Sequence, residues 1–150
     1  MYCIDASVLI NSEIEGEDFH KYSRDLMNYI REKGIMAFVP EIVCAEVSSA
    51  IARGTDVTER AVEFADELRE IPNFIFVPID PVLSQLASKL AAEHRLRGCD
   101  AIYVAVAFLF KVKLITLDDQ QRKRGSKCVE TLTPEDELNL LGEGNNQQIK

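Results

Sequence analysis

A chain of 150 residues has the length of one compact domain, and its 47% hydrophobic content is enough for a packed core. The formal net charge of −8 argues against a protein that grips nucleic acid by bulk positive charge. No uninterrupted apolar run reaches the roughly 18 residues of a membrane span, so no membrane association is expected. The first residues lead straight into a strand-like run with an acid at position 5. That is not the basic start and apolar core of a secretion signal, and a cytoplasmic protein is expected.

The predicted elements alternate. Residues 2–4 read as a short buried strand, and SVLINSEIEG starts a helix. Residues 19–34 carry apolar positions at 19, 22, 26, 27, 29 and 30, a helical spacing that stops at Gly34. MAFVP (36–40) reads as a strand. PEIVCAEVSSAIARG (40–54) reads as a helix with Pro40 in its first turn. The next helix covers 55–71 with Thr58 as its cap, and FIFVPI (74–79) is a strand. Residues 80–98 form a helix capped by Asp80 with Pro81 behind it. CDAIYVAVAFLFK is almost wholly apolar and predicts a buried central helix. KLITLD (113–118) is a strand ending at acids, and CVETL (128–132) is a last short strand. From Leu141 the periodicity fades, and GEGNNQQIK is expected to be a flexible tail. The division is one α/β domain over 1–132 and a C-terminal extension over 133–150, partly flexible. Strand–helix alternation throughout predicts an α/β fold, a three-layer α/β/α sandwich on a central parallel sheet.

Four acids stand in otherwise apolar segments: Asp5, Glu46, Asp100 and Asp118. Desolvating an unpartnered carboxylate costs several kcal/mol, so four such sites suggest that the acids gather around positive charge. Like charges about 4 Å apart repel by about 4 kcal/mol at a surface-like dielectric, so a cluster needs a divalent cation or protons. Hard oxygen ligands suit Mg²⁺ or Mn²⁺, and such ions activate water and steady a phosphoryl group. Asp5 and Asp118 follow apolar strand residues, where parallel sheets place their sites. Asp100 lies in a first helical turn, whose positive end favours an anion. Ser7 and Thr116, each two positions from an acid, and Asp119, next to Asp118, are candidates to orient ligands or water. Each acid also has a plain structural reading: Asp5 as a helix cap, Glu46 on a solvated stripe, Asp100 as a helix-start acid, Asp118 or Asp119 as turn formers.

The basic residues Lys111, Lys113, Arg122, Lys123, Arg124 and Lys127 bracket Asp118. They read either as a solvated loop or, for Arg122, Lys123 and Arg124, as a rim for substrate phosphates. The four cysteines form no C-x-x-C pair and have neither histidine close by, which excludes a zinc motif. They read as small buried hydrophobes, three of them beside candidate acids.

The ordered set DASVLI (Asp5, Ser7), PEIVCAEVSSAI (Glu46), CDAIYVAVA (Asp100) and LITLDD (Thr116, Asp118) resembles the PIN-domain family of small metal-dependent nucleases, including VapC-type toxins. The resemblance spans about residues 1–132. It implies the α/β/α sandwich, an Mg²⁺ or Mn²⁺ site held by Asp5, Glu46, Asp100 and Asp118, and endoribonuclease activity on RNA. It also implies a homodimer and a small antitoxin partner. Some family members carry a further acid two residues past the last Asp. Here that position is Gln120 and Asp119 is adjacent, which leaves one metal or two open. Three further readings stand beside the toxin. They are an RNA-processing or decay nuclease, a catalytically silent binding module, and a phosphatase using Asp5 as nucleophile. Aspartyl-phosphate enzymes usually place a second acid where this chain has Ser7, which weighs against the last.

Overall fold

The computed structural model describes residues 1–55 and 57–147, with side chains up to Glu143. Tyr2–Ile4 forms β1, buried at every position because helices cover both of its faces. The chain then turns at Asp5 into α1 (Ala6–Glu13), and α2 (His20–Glu32) packs back on it through Leu26, Met27 and Ile30. Gly34 ends that hairpin at φ +59°, a left-handed conformation that glycine adopts without penalty. β2 (Ala37–Pro40) leads to the hairpin of α3 (Ile42–Thr55) and α4 (Thr58–Arg69). β3 (Phe74–Val77) precedes α5 (Pro81–His94) and α6 (Gly98–Phe110), which pack against each other. β4 (Lys113–Ile115), α7 (Asp119–Gly125), β5 (Thr131–Leu132) and α8 (Pro134–Gln147) complete the described chain.

All neighbouring strands are parallel, in the order β3-β2-β1-β4-β5. The expected α/β sandwich with a central parallel sheet is therefore present. The chain steps outward from β1 through β2 to β3, then returns to place β4 on the other side of β1. That reversal is a topological switch point, and the crevice beyond the carboxyl ends of β1 and β4 is where such sheets accept ligands. α6 crosses the middle of the sheet against β1, β2 and β4. Its Tyr103, Val104, Ala105, Val106 and Ala107 are all buried, as its apolar sequence requires.

Several boundaries differ from the sequence reading. Pro40 ends β2 rather than opening α3; pairing with β1 has already stopped at Phe38, so the missing N–H breaks no bond of the sheet on that side. Thr58 lies inside α4, and Val57 occupies the cap without a side-chain bond. The strand expected over 128–132 shrinks to Thr131–Leu132, because residues 119–125 form the unanticipated helix α7. A side chain at Gly125 would meet Val104 Cγ2 at 3.0 Å, so glycine lets α7 sit down on α6. Cys3 is buried as expected, but Cys99 is exposed and Cys44 and Cys128 are half-buried. Leu26, Met27 and Ile30 of α2 and Phe64 and Leu68 of α4 belong to the core, whereas Phe19, Tyr22 and Val62 are exposed.

Residues 142–147, expected to be flexible, continue α8; the rest of that stretch, 148–150, lies outside the described residues. α8 begins with a reciprocal cap. Thr133 Oγ1 accepts from the Asp136 N–H at 3.1 Å, and Asp136 Oδ2 accepts from the Thr133 N–H at 3.1 Å. One turn in, Glu137 is 2% exposed and accepts from Tyr2 Oη at 2.7 Å and Lys113 Nζ at 2.8 Å. This helix is thereby tied to β1 and β4. No helix among the described residues is long and apolar enough to cross a membrane.

Candidate active site

The four acids reach one crevice of about 510 Å³ from four separate elements. Asp5 stands at the end of β1 and caps α1, with Oδ2 accepting from the Ser7 N–H at 3.0 Å. Capping and site placement are thus one feature, since the strand delivers the acid and the following helix presents its amides to it. Glu46 lies mid-α3, Asp100 in the first turn of α6, and Asp118 caps α7 through the Gln121 N–H at 2.8 Å.

Hydroxyls and one amide lock this frame. Thr116 is fully buried; its Oγ1 donates to Asp5 Oδ2 at 3.3 Å and accepts from the Asp118 N–H at 3.0 Å. Ser7 Oγ accepts from the Leu117 N–H at 3.1 Å, tying the start of α1 to the segment after β4. Tyr103 donates to Glu46 Oε2 at 2.5 Å from the buried face of α6. Gln121, also fully buried, donates through Nε2 to Asp5 Oδ1 at 3.3 Å, while its Oε1 has no partner.

The electrostatics follow from this layout. Burial pushes the Asp5 carboxyl above its ordinary range; bonds from Ser7 and Gln121 offset part of this, and Asp100 adds to the rise. Glu46 is raised first by burial, against the bond from Tyr103, and then by Asp5 and Asp100. Asp118 also feels burial, but amide bonds from Gln121 and the Arg97 guanidinium hold it below the usual carboxylate range.

Two arginines line the crevice that sequence reasoning passed over, Arg53 and Arg97. Arg97 donates from Nε to Asp100 Oδ2 at 2.7 Å and from Nη2 to Asp118 Oδ2 at 2.5 Å, joining two of the acids. Its position three residues before Asp100, on the next helical turn, was the available signal. Arg53 donates to Ser49 Oγ one turn back on α3. The basic run is placed elsewhere. Arg122 pairs with Asp119 at 2.8 Å on the exposed side of α7, and Arg124 donates to the Arg95 carbonyl. Asp119, Arg122, Lys123 and Arg124 do not line the crevice.

The donor set suits a hard divalent cation: every carboxylate facing the crevice offers oxygen, and their mutual repulsion calls for positive charge. Among the described residues, no three His, Cys, Asp or Glu side chains already form a ligand cage. The Arg97 fork bonds oxygens of Asp100 and Asp118 that a metal would use.

A parallel five-stranded sheet with helices on both sides and a carboxylate-lined crevice at its switch point defines the class of the domain, an α/β sandwich. The family model of the PIN domain matches residues 2–127, and the chain belongs to this family. No curated protein matches the sequence. Solved structures share the fold. VapC20 of Mycobacterium tuberculosis, described as a sarcin-ricin loop cleaving toxin, aligns at TM-score 0.68 and 17% identity over 80% of this chain and 92% of its own. FitAcB of Neisseria gonorrhoeae aligns at TM-score 0.66 and 16% identity, over 89% of this chain and 98% of that one. PAE2754 of Pyrobaculum aerophilum aligns at TM-score 0.66 and 20% identity, covering 95% and 89%.

Proposed function

We propose that the protein is a metal-dependent endoribonuclease acting as the toxin of a toxin–antitoxin pair. The observation that carries this reading is the convergence of Asp5, Glu46, Asp100 and Asp118 from four elements on one crevice at the sheet's switch point. Membership of the PIN-domain family supports it, as do fold neighbours that include a toxin–antitoxin complex from Klebsiella pneumoniae and a VapBC2 from Rickettsia felis bound to promoter DNA.

In this reading Asp5, Glu46, Asp100 and Asp118 hold Mg²⁺ or Mn²⁺. When bound, the ion lowers the pKa of a water and neutralises charge on the phosphoryl group. The chain's own residues do the rest. Thr116 and Ser7 fix the carboxylate of Asp5 and the backbone at Leu117 and Asp118. Tyr103 fixes Glu46. Arg53 is the cation at the crevice wall best placed to meet RNA phosphates. Selectivity for RNA rests on unpaired loops and shape, since the acidic surface offers little grip on a duplex backbone. A small antitoxin that covers the crevice and a homodimeric state belong to the same proposal, as does a cytoplasmic location.

The test is cleavage of a mixed structured RNA by purified protein, with Mg²⁺, with Mn²⁺ and with EDTA. Metal-dependent cutting that Asp100→Asn removes supports the reading. A folded protein that neither cuts RNA nor binds Mn²⁺ refutes it and leaves a silent binding module.

A further inference from the structure

Arg97 stands in the acid cluster as a cation supplied by the chain itself. Its guanidinium reaches Asp100 through two bonds, 2.7 Å and 3.1 Å, and Asp118 through a third at 2.5 Å. Asp118 has an anchor besides Arg97, the Gln121 N–H at 2.8 Å, whereas among the described residues the Asp100 carboxylate is bonded by Arg97 alone and only its backbone is fixed independently, in the first turn of α6. The helix does not depend on it, for Arg97 sits at the α6 cap without a side-chain capping bond. Its side chain is 58% exposed, against 12% for Asp100 and 30% for Asp118. The arginine can therefore swing into solvent without leaving a cavity or a buried unpaired charge of its own.

The same oxygens cannot serve the guanidinium fork and coordinate a metal at once. We propose that Arg97 is a built-in competitor for the divalent-cation site, bridging Asp100 and Asp118 in the metal-free protein and released from them when the ion binds. This rests on the metal-dependent reading above. The closed, bridged population reduces apparent metal affinity by the fraction of molecules in which the acids are free. It also spares the metal-free protein the full repulsion among its crevice carboxylates.

The experiment is calorimetric titration of Mn²⁺ into the full chain without RNA, for wild type, Arg97→Gln and Arg97→Lys, with circular dichroism confirming the fold. Two partly exposed charge pairs set the scale, and Arg97→Gln is expected to bind Mn²⁺ on the order of tenfold more tightly. Arg97→Lys, a point charge without the planar fork, is expected to fall between the two. Arg97→Gln is also expected to melt lower than wild type without metal and to gain more in Tm on adding Mn²⁺. Equal or weaker Mn²⁺ affinity in folded Arg97→Gln overturns the proposal; should that variant not fold, Arg97→Lys binding no more tightly than wild type overturns it. If wild type binds Mn²⁺ and cuts RNA while the variants bind no tighter, only the role of Arg97 fails. If wild type binds no Mn²⁺, the metal-dependent reading fails with it.

Discussion

Tyr103 on α6 donates its phenolic hydrogen to Glu46 Oε2 on α3 at 2.5 Å, joining residues 57 positions apart in sequence. The ring is 1% exposed, so the bond is made from inside the core toward the crevice. Glu46 is thereby aimed by a residue one turn beyond Asp100 on the same helix. Tyr103→Phe keeps the packing and removes the donor. It is expected to cost about 1–2 kcal/mol in urea denaturation. If Glu46 holds metal, the same change weakens Mn²⁺ binding by about tenfold, as loss of a partner that orients a ligand does. An unchanged Mn²⁺ affinity would show that Glu46 needs no such support.

Asp5 is a charge the metal-free fold would be more stable without. Its carboxyl titrates above the ordinary range because it is buried, so folding becomes less favourable as pH rises through the ordinary carboxylate range near 4 toward the raised folded value. Asp5→Asn removes that penalty and keeps one oxygen for the Ser7 amide. Its new NH₂ group can meet Gln121 once that amide turns over, presenting the Oε1 that now lacks a partner. The variant is expected to melt several degrees higher than wild type at pH 7 without metal, with the gap closing toward pH 4. RNA cleavage should be lost. Thermal scans across pH check the first part, and a gap that widens on acidification would contradict it.

Glu137 tests whether α8 belongs to the fold. Glu137→Ala leaves Tyr2 Oη and Lys113 Nζ without their acceptor. Lys113 retains some solvent contact, so the expected loss is about 2 kcal/mol, below the full cost of breaking a buried pair. Glu137→Gln, which can still accept from Tyr2, should lose less. A loss under about 0.5 kcal/mol for Glu137→Ala would make the C-terminal helix an appendage.

Substrate contact can be assigned by salt dependence. Arg53 lines the crevice, whereas Arg124 is turned to the Arg95 carbonyl. Arg53→Gln is expected to weaken RNA binding several-fold at low salt and to flatten the dependence of log K on log salt by about 1. Arg124→Ala is expected to leave that slope unchanged. The reverse result would move the phosphate rim to α7.

Much of this was legible in the chain because strand and acid are adjacent. An apolar run ending in an acid, as in YCID and KLITLD, marks both a buried parallel strand and its carboxyl-end site. The apolar sequence after Asp100 similarly announced a central helix. Less visible were contacts set by tertiary packing. Residues 119–125 contain no apolar stripe, so α7 could not be read from periodicity; it stands because Asp118 caps it and Gly125 lets it dock. Gly and Asn after Leu141 disfavour a helix locally, yet α8 runs through them to Gln147. Arg97 was overlooked beside a more conspicuous basic run, although its spacing from Asp100 placed the two on neighbouring turns. Tyr103 read as core, which it is, and its hydroxyl reaches the site only because α3 passes beside α6.

The most direct measurement is cleavage of a structured RNA mixture by the purified protein, with Mg²⁺, Mn²⁺ or EDTA, beside Asp100→Asn. The expected result is cutting with either metal, none with EDTA and none by the variant. Cutting that survives EDTA or Asp100→Asn, or a folded wild type that binds no Mn²⁺ and leaves every RNA intact, would contradict a metal-dependent nuclease built on these four acids.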